Sequence, residues 1–324
     1  MAVIALAALA VGRYSVGPVQ VVQILLAQVV PLEPTWTATE QAVVIEVRLP
    51  RVLLAMLVGA GLAASGAALQ AVFGNPIVSP QILGISSGAS FGGAMAIVLG
   101  LGTAALIFGS FTMGMAALVA VFLLSRVRGP APPLTIVLTG IVIGAFFAAL
   151  VALLTYLADP YGELQSLVYW LLGSLATATY TKVAVAAVPV LVGGAVIYAL
   201  RWRINVLSLG DDDATALGLK PGRLRWVLLT AVAAIVAGAV AVSGVIGWVG
   251  LVVPHLARLW VGPDHRVLIP VTLGLGAAYL TVIDTITRAV SVAEMPLGVL
   301  TAVIGAPVFL LLLHRSRQRM WSDA

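Results

Sequence analysis

The fold is decided by residues 52–125, VLLAMLVGAGLAASGAALQAVFGNPIVSPQILGISSGASFGGAMAIVLGLGTAALIFGSFTMGMAALVAVFLLS, which hold no Asp, Glu, Lys or Arg over 74 positions. A helix needs about 20 apolar residues to cross a hydrocarbon core of about 30 Å. The stretch therefore predicts three membrane spans, with breaks at Gly74-Asn75-Pro76 and around Gly100-Leu101-Gly102. Three spans place Arg51 and Arg126 on opposite sides of the membrane.

The composition of the whole chain agrees with a membrane protein. Of 324 residues, 61% are hydrophobic and 9% are charged, whereas a soluble domain has about 25% charged residues. The absence of cysteine excludes a disulfide framework and thiolate metal sites. The chain also lacks a G-x-x-x-x-G-K-[ST] motif, so we do not expect it to hydrolyse ATP itself.

Further charge-free runs at 129–158, 183–200, 267–283 and 295–314 each predict one span. Residues 226–257 must leave and return, yet are too few for two full helices, so one must be short or broken. Residues 165–175 are too short to span and predict a half-helix that dips back. We therefore expect an all-α polytopic membrane protein of about ten transmembrane helices with short re-entrant or broken helices, forming a single domain over 1–324.

The apolar start, MAVIALAALAV, lacks the basic residues of a cleaved signal. It covers only about half of the hydrocarbon core at 1.5 Å per residue. We interpret it as the end of a first span that is mostly missing, or as a short tilted anchor.

The positions of Lys and Arg predict the orientation, because cytoplasmic loops carry an excess of them. One orientation places twelve cations inside and five outside. The inside group is Arg126, Arg128, Arg201, Arg203, Lys220, Arg223, Arg225, Arg258, Arg266, Arg315, Arg317 and Arg319, and the outside group is Arg13, Arg48, Arg51, Lys182 and Arg288. The C-terminus is then cytoplasmic.

One compact polar insert, LSLGDDDATALGLKPGRLRW at 207–226, interrupts this apolar chain with six charged residues in twenty. Gly210-Asp211 can begin a helix with three aspartates in its first turn, where the helix dipole favours negative charge. Gly218 can end that helix, and Pro221-Gly222 is expected to turn the chain. The alternative is a solvated loop.

Two motifs match a catalytic pattern literally. GISSG (84–88) and GASFG (88–92) both fit G-x-S-x-G, which would suggest an intramembrane serine hydrolase. Such chemistry needs a nearby base, and the only histidines, His255, His265 and His314, are predicted near the cytoplasmic face. The glycines stand four residues apart, so a packing ridge of small residues is favoured.

Asp284 and Arg288 are separated by four residues, a favourable ion-pair spacing on a helix. Elsewhere the predicted spans carry no ionisable side chain at depth, and transporters driven by protons or ions usually need such residues. The energy for transport is therefore expected to come from another subunit, which disfavours a stand-alone secondary transporter. A membrane enzyme is disfavoured by the absence of an assembled site.

Several stretches together resemble the FecCD-type permease subunits of ABC importers, which carry iron chelates and cobalamin. They occur in the family's order from residue 48 to 313. They are RLPRVLLAMLVGAGLAASGAALQAVFGNPIVSPQILGISSGASFGG, YWLLGSL, LSLGDDDATALGLKPGR, VSGVIGWVGLVVPHLARLWVGPDHRVLIP and EMPLGVLTAVIGAPVFLLLL. The N-terminus departs from the family, since most of the usual first helix is missing.

The resemblance implies a homodimer in the bacterial cytoplasmic membrane, two cytoplasmic ABC ATPases that use ATP and Mg, and an extracytoplasmic substrate-binding protein. It implies no cofactor or metal bound by this chain and no nucleic acid. The insert, about 206–225, is expected to seat on the ATPase, through Gly210, Asp211, Asp212, Asp213, Ala214, Leu217 and Gly218. Asn75 and Pro76 are expected to form a cytoplasmic gate with Pro133, Leu134 and Thr135. Arg48, Arg51 and Arg288 match positions that meet acidic side chains of the binding protein.

The sequence leaves the transported compound open. A neutral path lined by small residues suits a large chelate, and no ladder of His, Met or Cys is present for a bare metal ion. Ferric siderophore is favoured because YWLLGSLATATY (169–180) resembles those permeases more closely. Haem and cobalamin remain alternatives.

Overall fold

A computed structural model describes residues 1–126, 132–290 and 294–322, and all regular structure within these ranges is helical. This confirms the all-α fold class. Of the predicted cytoplasmic cations, Arg128 and the side chains of Arg315, Arg317 and Arg319 lie outside the described residues.

The charge-free stretch forms three helices, as predicted, and the middle one has only 14 residues. Gly74, Gly100 and Gly102 adopt positive φ at the two breaks. A six-residue π-helical segment, Val43–Arg48, leads directly into the first of the three. The helices of this half are α1 (Ala2–Ala10), α2 (Pro18–Leu26), α3 (Ala38–Ala42), α4 (Leu49–Val72), α5 (Ile85–Val98) and α6 (Gly102–Ser125).

The second half begins with α7 (Pro133–Leu157), α8 (Glu163–Leu171), α9 (Tyr180–Ala199), α10 (Arg201–Leu207) and α11 (Asp211–Ala216). It continues with α12 (Pro221–Ser243), α13 (Val249–Val261), α14 (His265–Val290) and α15 (Leu297–Ser322). Residues 226–257 contain one long helix and one of 13 residues, so the predicted short helix is α13. The short helix expected near 165–175 is α8.

Among the described residues, six helices are long and apolar enough to cross a membrane, and α5, α13 and Leu297–Leu312 are shorter apolar helices. The nine-residue α1 is also apolar. The expected number of about ten spans therefore holds approximately, and the chain is a multi-pass membrane protein.

The core is built around α4 and α12, whose apolar windows are 78% buried. Close approach depends on glycine. A Cβ on Gly59 would lie 2.2 Å from the carbonyl oxygen of Gly276 in α14, and one on Gly66 would lie 1.7 Å from that of Gly250 in α13. Small residues at such crossings let backbones pack closely where lipid supplies no hydrophobic driving force between helices.

The G-x-S-x-G motifs form a packing ridge. A Cβ on Gly88 would lie 2.7 Å from the carbonyl oxygen of Met113, and one on Gly92 would lie 2.0 Å from that of Gly109, both in α6. The serines are buried in α5, and the Ser90 hydroxyl donates to the Ser86 carbonyl at 2.8 Å. The packing interpretation is therefore confirmed.

Candidate functional sites

The polar insert forms a short acidic helix with the predicted ends. Gly210 adopts φ 118° directly before α11, and Asp211, Asp212 and Asp213 occupy the first turn. Gly218 adopts φ 80° after the helix, and its N–H donates to the Thr215 carbonyl at 2.9 Å. The chain therefore turns at Gly218, between α11 and α12.

One prediction for this insert was wrong. Pro221-Gly222 does not turn the chain, because Pro221 is the first residue of α12. Proline is favoured at the first helical position, where its missing N–H has no intrahelical partner to lose.

Two sets of side-chain contacts, called the first and second clasp, connect the insert and the preceding helix α10 to two spans. Arg225 of α12 is buried and its Nη2 lies 2.7 Å from Asp211 Oδ1. Asn205 of α10 donates to Asp264 at 2.8 Å and accepts from the backbone N–H of His265 at 2.8 Å, at the start of α14. The ion pair therefore connects α11 to α12, whereas the start of α14 is connected to α10.

The carboxylate of the second clasp, that of Asp264, is negatively charged at neutral pH. Hydrogen bonds from the Arg266 side chain, and next from its backbone N–H, lower the pKa of Asp264 to about 2. The carboxylate thus stays ionised at any physiological pH.

The three arginines predicted to face outward meet at one end of α4 and α14, but they are buried. Their exposed fractions are 4% for Arg48, 5% for Arg51 and 6% for Arg288. None of the three guanidinium groups is therefore free on the surface. A docking role for them stays a prediction.

The burial has a physical reason, because each guanidinium has partners inside the protein. Arg51 Nε lies 2.9 Å from Asp284 Oδ1, and its Nη1 lies 2.9 Å from Glu294 Oε2. Arg288 lies 3.2 Å from Asp284, so the predicted i,i+4 ion pair is present. Arg48 donates to the carbonyl oxygens of Leu9, at 2.6 Å, and of Tyr14.

Glu294 was not singled out from the sequence. Its signal would have been a carboxylate two residues before Pro296, at the entrance to the last span. Without it, Arg51 has only Asp284 as an acidic partner.

The predicted gate residues occupy two segments beside each other. Asn75 and Pro76 are exposed after α4, where Asn75 Oδ1 accepts from the Ile77 N–H at 2.9 Å. Pro133 begins α7, and Leu134 is exposed. The connection 73–84 packs along α7, since a Cβ on Gly140 would lie 2.9 Å from the Ile82 carbonyl oxygen. The gate role stays a prediction.

Three chain breaks, between α8 and α9, between α12 and α13, and before α15, satisfy one another's backbone groups. Ser174 N–H donates to the Ser243 carbonyl at 2.8 Å, Leu297 N–H to that of Gly173 at 2.9 Å, and Gly298 N–H to that of Leu172 at 3.0 Å. Irregular backbone at membrane depth is tolerated only where protein or water satisfies it. The sequence predicted short or broken helices near the first two of these breaks, but it did not predict that the three breaks meet.

Glycine is required at this junction. Gly244 adopts φ 66°, and a Cβ there would lie 2.0 Å from the Trp170 carbonyl oxygen. Trp248, at φ 67°, is the single non-glycine residue with positive φ in the described ranges. Such backbone costs of order 1–3 kcal/mol and persists only where packing imposes it, and here Trp248 packs against Gly305.

Comparisons with known proteins agree with this architecture. The model of the FecCD transport family matches residues 1–315. The molybdate import system permease protein MolB of Haemophilus influenzae is 42% identical over 98% of this chain and 94% of its own length. A Helicobacter pylori protein named "Probable iron chelatin transport system permease protein" is 42% identical over 85% of this chain and 83% of its own.

A solved structure described as "An inward-facing conformation of a putative metal-chelate type ABC transporter" superposes with a TM-score of 0.87 at 41% identity. The match covers 97% of this chain and 96% of that one. The chain therefore belongs to the FecCD transport family and is a permease of the ABC importer type.

Proposed function

We propose that this permease imports a large chelated metal compound across the bacterial cytoplasmic membrane, receiving it from an extracytoplasmic binding protein. Ferric siderophore is the favoured form, with haem and cobalamin as alternatives. The relative named for iron chelatin supports this class. ATP is hydrolysed by separate ABC ATPase subunits, as the family implies, and the C-terminus is cytoplasmic.

The observation that carries the proposal is the clasped acidic helix α11. Asp212 and Asp213 are exposed, and the large apolar side chains of Leu209 and Leu217 are also exposed beside the helix. An exposed surface that combines apolar and charged side chains suits a protein partner. Because the ion pair of Asp211 with Arg225 connects α11 to α12, an ATPase seated there would move the membrane spans.

A homodimer is part of the proposal. Within the described residues, only 17% of the residues in the apolar window of α7 are buried, so one side of this helix is left for lipid or a second copy. A two-fold pair would place a transport path between copies and would present two α11 helices to two ATPases.

Molybdate is the second candidate substrate. The Haemophilus influenzae relative named for it matches 98% of this chain, whereas the iron chelatin relative matches 85% at the same identity. An oxyanion is smaller than a siderophore, so the two candidates differ in the path they need.

The test is ATP-dependent uptake into proteoliposomes that contain the full chain, its ATPase and its binding protein. We expect accumulation of ⁵⁵Fe-siderophore. Accumulation of ⁹⁹Mo-molybdate alone would show that molybdate, the second candidate, is the substrate.

The role of α11 is tested separately. A variant with Asp212→Lys and Asp213→Lys should lose ATPase co-purification while leaving the ion pair of Asp211 with Arg225 intact. Glu33→Lys, an exposed charge reversal far from α11 in sequence, is the control. Equal co-purification of the ATPase with both variants would overturn the role of α11.

A further inference from the structure

A groove of about 630 Å³ runs along the surface between α9 and α12, with its mouth at the end of α6. Its wall is apolar and includes Val192, Val196 and Ala231. Val192 is 61% exposed, so the groove opens sideways, toward the surroundings of the spans. The only hydroxyl of this wall, that of Thr230, donates to the Trp226 carbonyl at 2.9 Å. The groove therefore offers an apolar guest no free polar group below its mouth.

The depth of the groove suits a hydrocarbon chain. From Trp226 to Ala234 the α12 wall rises by eight residue steps, or about 12 Å at 1.5 Å per residue. Its floor is set by Gly193, where a Cβ would lie 2.6 Å from the Ile235 side chain. The glycine lets α9 and α12 approach closely there, leaving a narrow apolar channel above the contact.

Two exposed arginines, Arg126 and Arg223, line the mouth. The guanidinium of Arg126 lies 4.2 Å from the ring centroid of Phe122 and 5.8 Å from that of Trp226. Arg223 precedes Trp226 by three residues, so it occupies the same face of α12 one turn nearer the mouth.

Neither of these cations has a carboxylate within salt-bridge distance in the described ranges. Their neighbour Arg225 differs, since it is buried and paired with Asp211. The mouth therefore carries two cations without a carboxylate partner above an apolar groove, with a tryptophan at the boundary. Tryptophan is the side chain enriched at the membrane–water interface.

We propose that this groove binds an anionic phospholipid of the leaflet that Arg126 and Arg223 face. The phosphate would lie between the two guanidinium groups, and one acyl chain would lie along α9 and α12. Basic pockets between transmembrane helices on the cytoplasmic side are typical sites for anionic headgroups. The inference does not depend on which compound the permease carries.

The test is a lipid titration of the purified, delipidated full chain, followed by native mass spectrometry. The probes are phosphatidylglycerol and phosphatidylcholine with the same acyl chains. We expect on the order of a tenfold preference for phosphatidylglycerol from two juxtaposed arginines. Arg126→Gln with Arg223→Gln should remove that preference. The matched control, Arg201→Gln with Arg203→Gln, should keep it, although Arg201 also stacks on an aromatic ring, 4.0 Å from the Tyr198 centroid.

A second variant tests the apolar channel while the arginines stay in place. Val192→Trp fills the groove and should weaken binding of both lipids, whereas Val188→Trp changes an exposed valine of α9 outside it. The proposal is overturned if wild type binds the two lipids equally, or if the Arg126/Arg223 variant retains the preference. It is also overturned if Val192→Trp binds lipid as wild type does.

Discussion

Replacing Arg51 by Gln separates a structural role of this residue from a docking role. The Arg51 side chain is 7% exposed and that of Asp284 is 1% exposed, with 2.9 Å between their closest atoms. The substitution therefore leaves a buried carboxylate with one cation, Arg288, instead of two. It also frees Glu294, which is 25% exposed and can be partly solvated.

The expected cost follows from this geometry. Removing one partner of a buried ion pair typically costs about 3–5 kcal/mol, because the other charge stays desolvated. Arg288 retains its contact with Asp284 at 3.2 Å, so we expect the lower end, about 3 kcal/mol. For a chain of this size the loss corresponds to a fall in Tm of about 5 °C or more.

The assay is thermal denaturation of the purified chain in detergent, in parallel with binding-protein affinity at low and high salt. The double variant Arg51→Gln with Glu294→Gln removes the carboxylate that loses its partner, while Asp284 keeps Arg288, and should recover part of the lost stability. Exposed Arg203→Gln is the control. An unchanged Tm for Arg51→Gln together with lost binding-protein affinity would refute the structural reasoning and establish docking.

Three further outcomes are expected. Gly298→Ala should destabilise the chain by about 1–3 kcal/mol through overpacking, because its Cβ would lie 2.5 Å from the Leu172 carbonyl oxygen. The control Gly274→Ala, where a Cβ has open space, should leave the Tm unchanged. Equal Tm values for the two variants would contradict the close packing of the three chain breaks. Asp211→Asn should weaken ATPase coupling, seen as more ATP hydrolysed per solute imported, because it removes the charge that pairs with the buried arginine of α12 across 2.7 Å; an unchanged ratio would contradict the role of this ion pair. Cysteines at Asn75 and Leu134 should cross-link in this cysteine-free background and block uptake, and unimpaired uptake with the cross-link complete would remove the gate.

Much of the helical architecture was predictable because charged side chains are too costly to bury in lipid. The charge-free runs therefore indicated where spans lie, although α14 extends beyond 267–283 at both ends. The 32 residues between Arg225 and Arg258 required one short helix, which is α13. The acidic first turn of α11 was predictable for a similar local reason, since the capping glycine and the three aspartates are adjacent in sequence.

Contacts between distant segments were not predictable by the same reasoning. Arg51 and Asp284 are 233 positions apart. The three chain breaks after α8, after α12 and before α15 likewise come together only in the folded chain. Counting cations on each side of a membrane says where a guanidinium lies along the normal. It does not say whether the group turns toward solvent or toward a carboxylate of another helix.

Groups inside the protein offset most of the positive charge of the buried arginine cluster. Among the residues that the structure describes, Arg48, Arg51 and Arg288 face two carboxylates, Asp284 and Glu294, so one positive charge is left over. Arg48 and Arg288 direct donors at the carbonyl oxygens that end α1, at 2.6 Å and 3.0 Å. A helix C-terminus carries roughly half a negative elementary charge, so α1 offsets much of the remainder. Cations that depart from the positive-inside bias at this end therefore need no acidic partner protein to explain them, and a binding protein that docks here must meet other, exposed side chains unless the cluster opens.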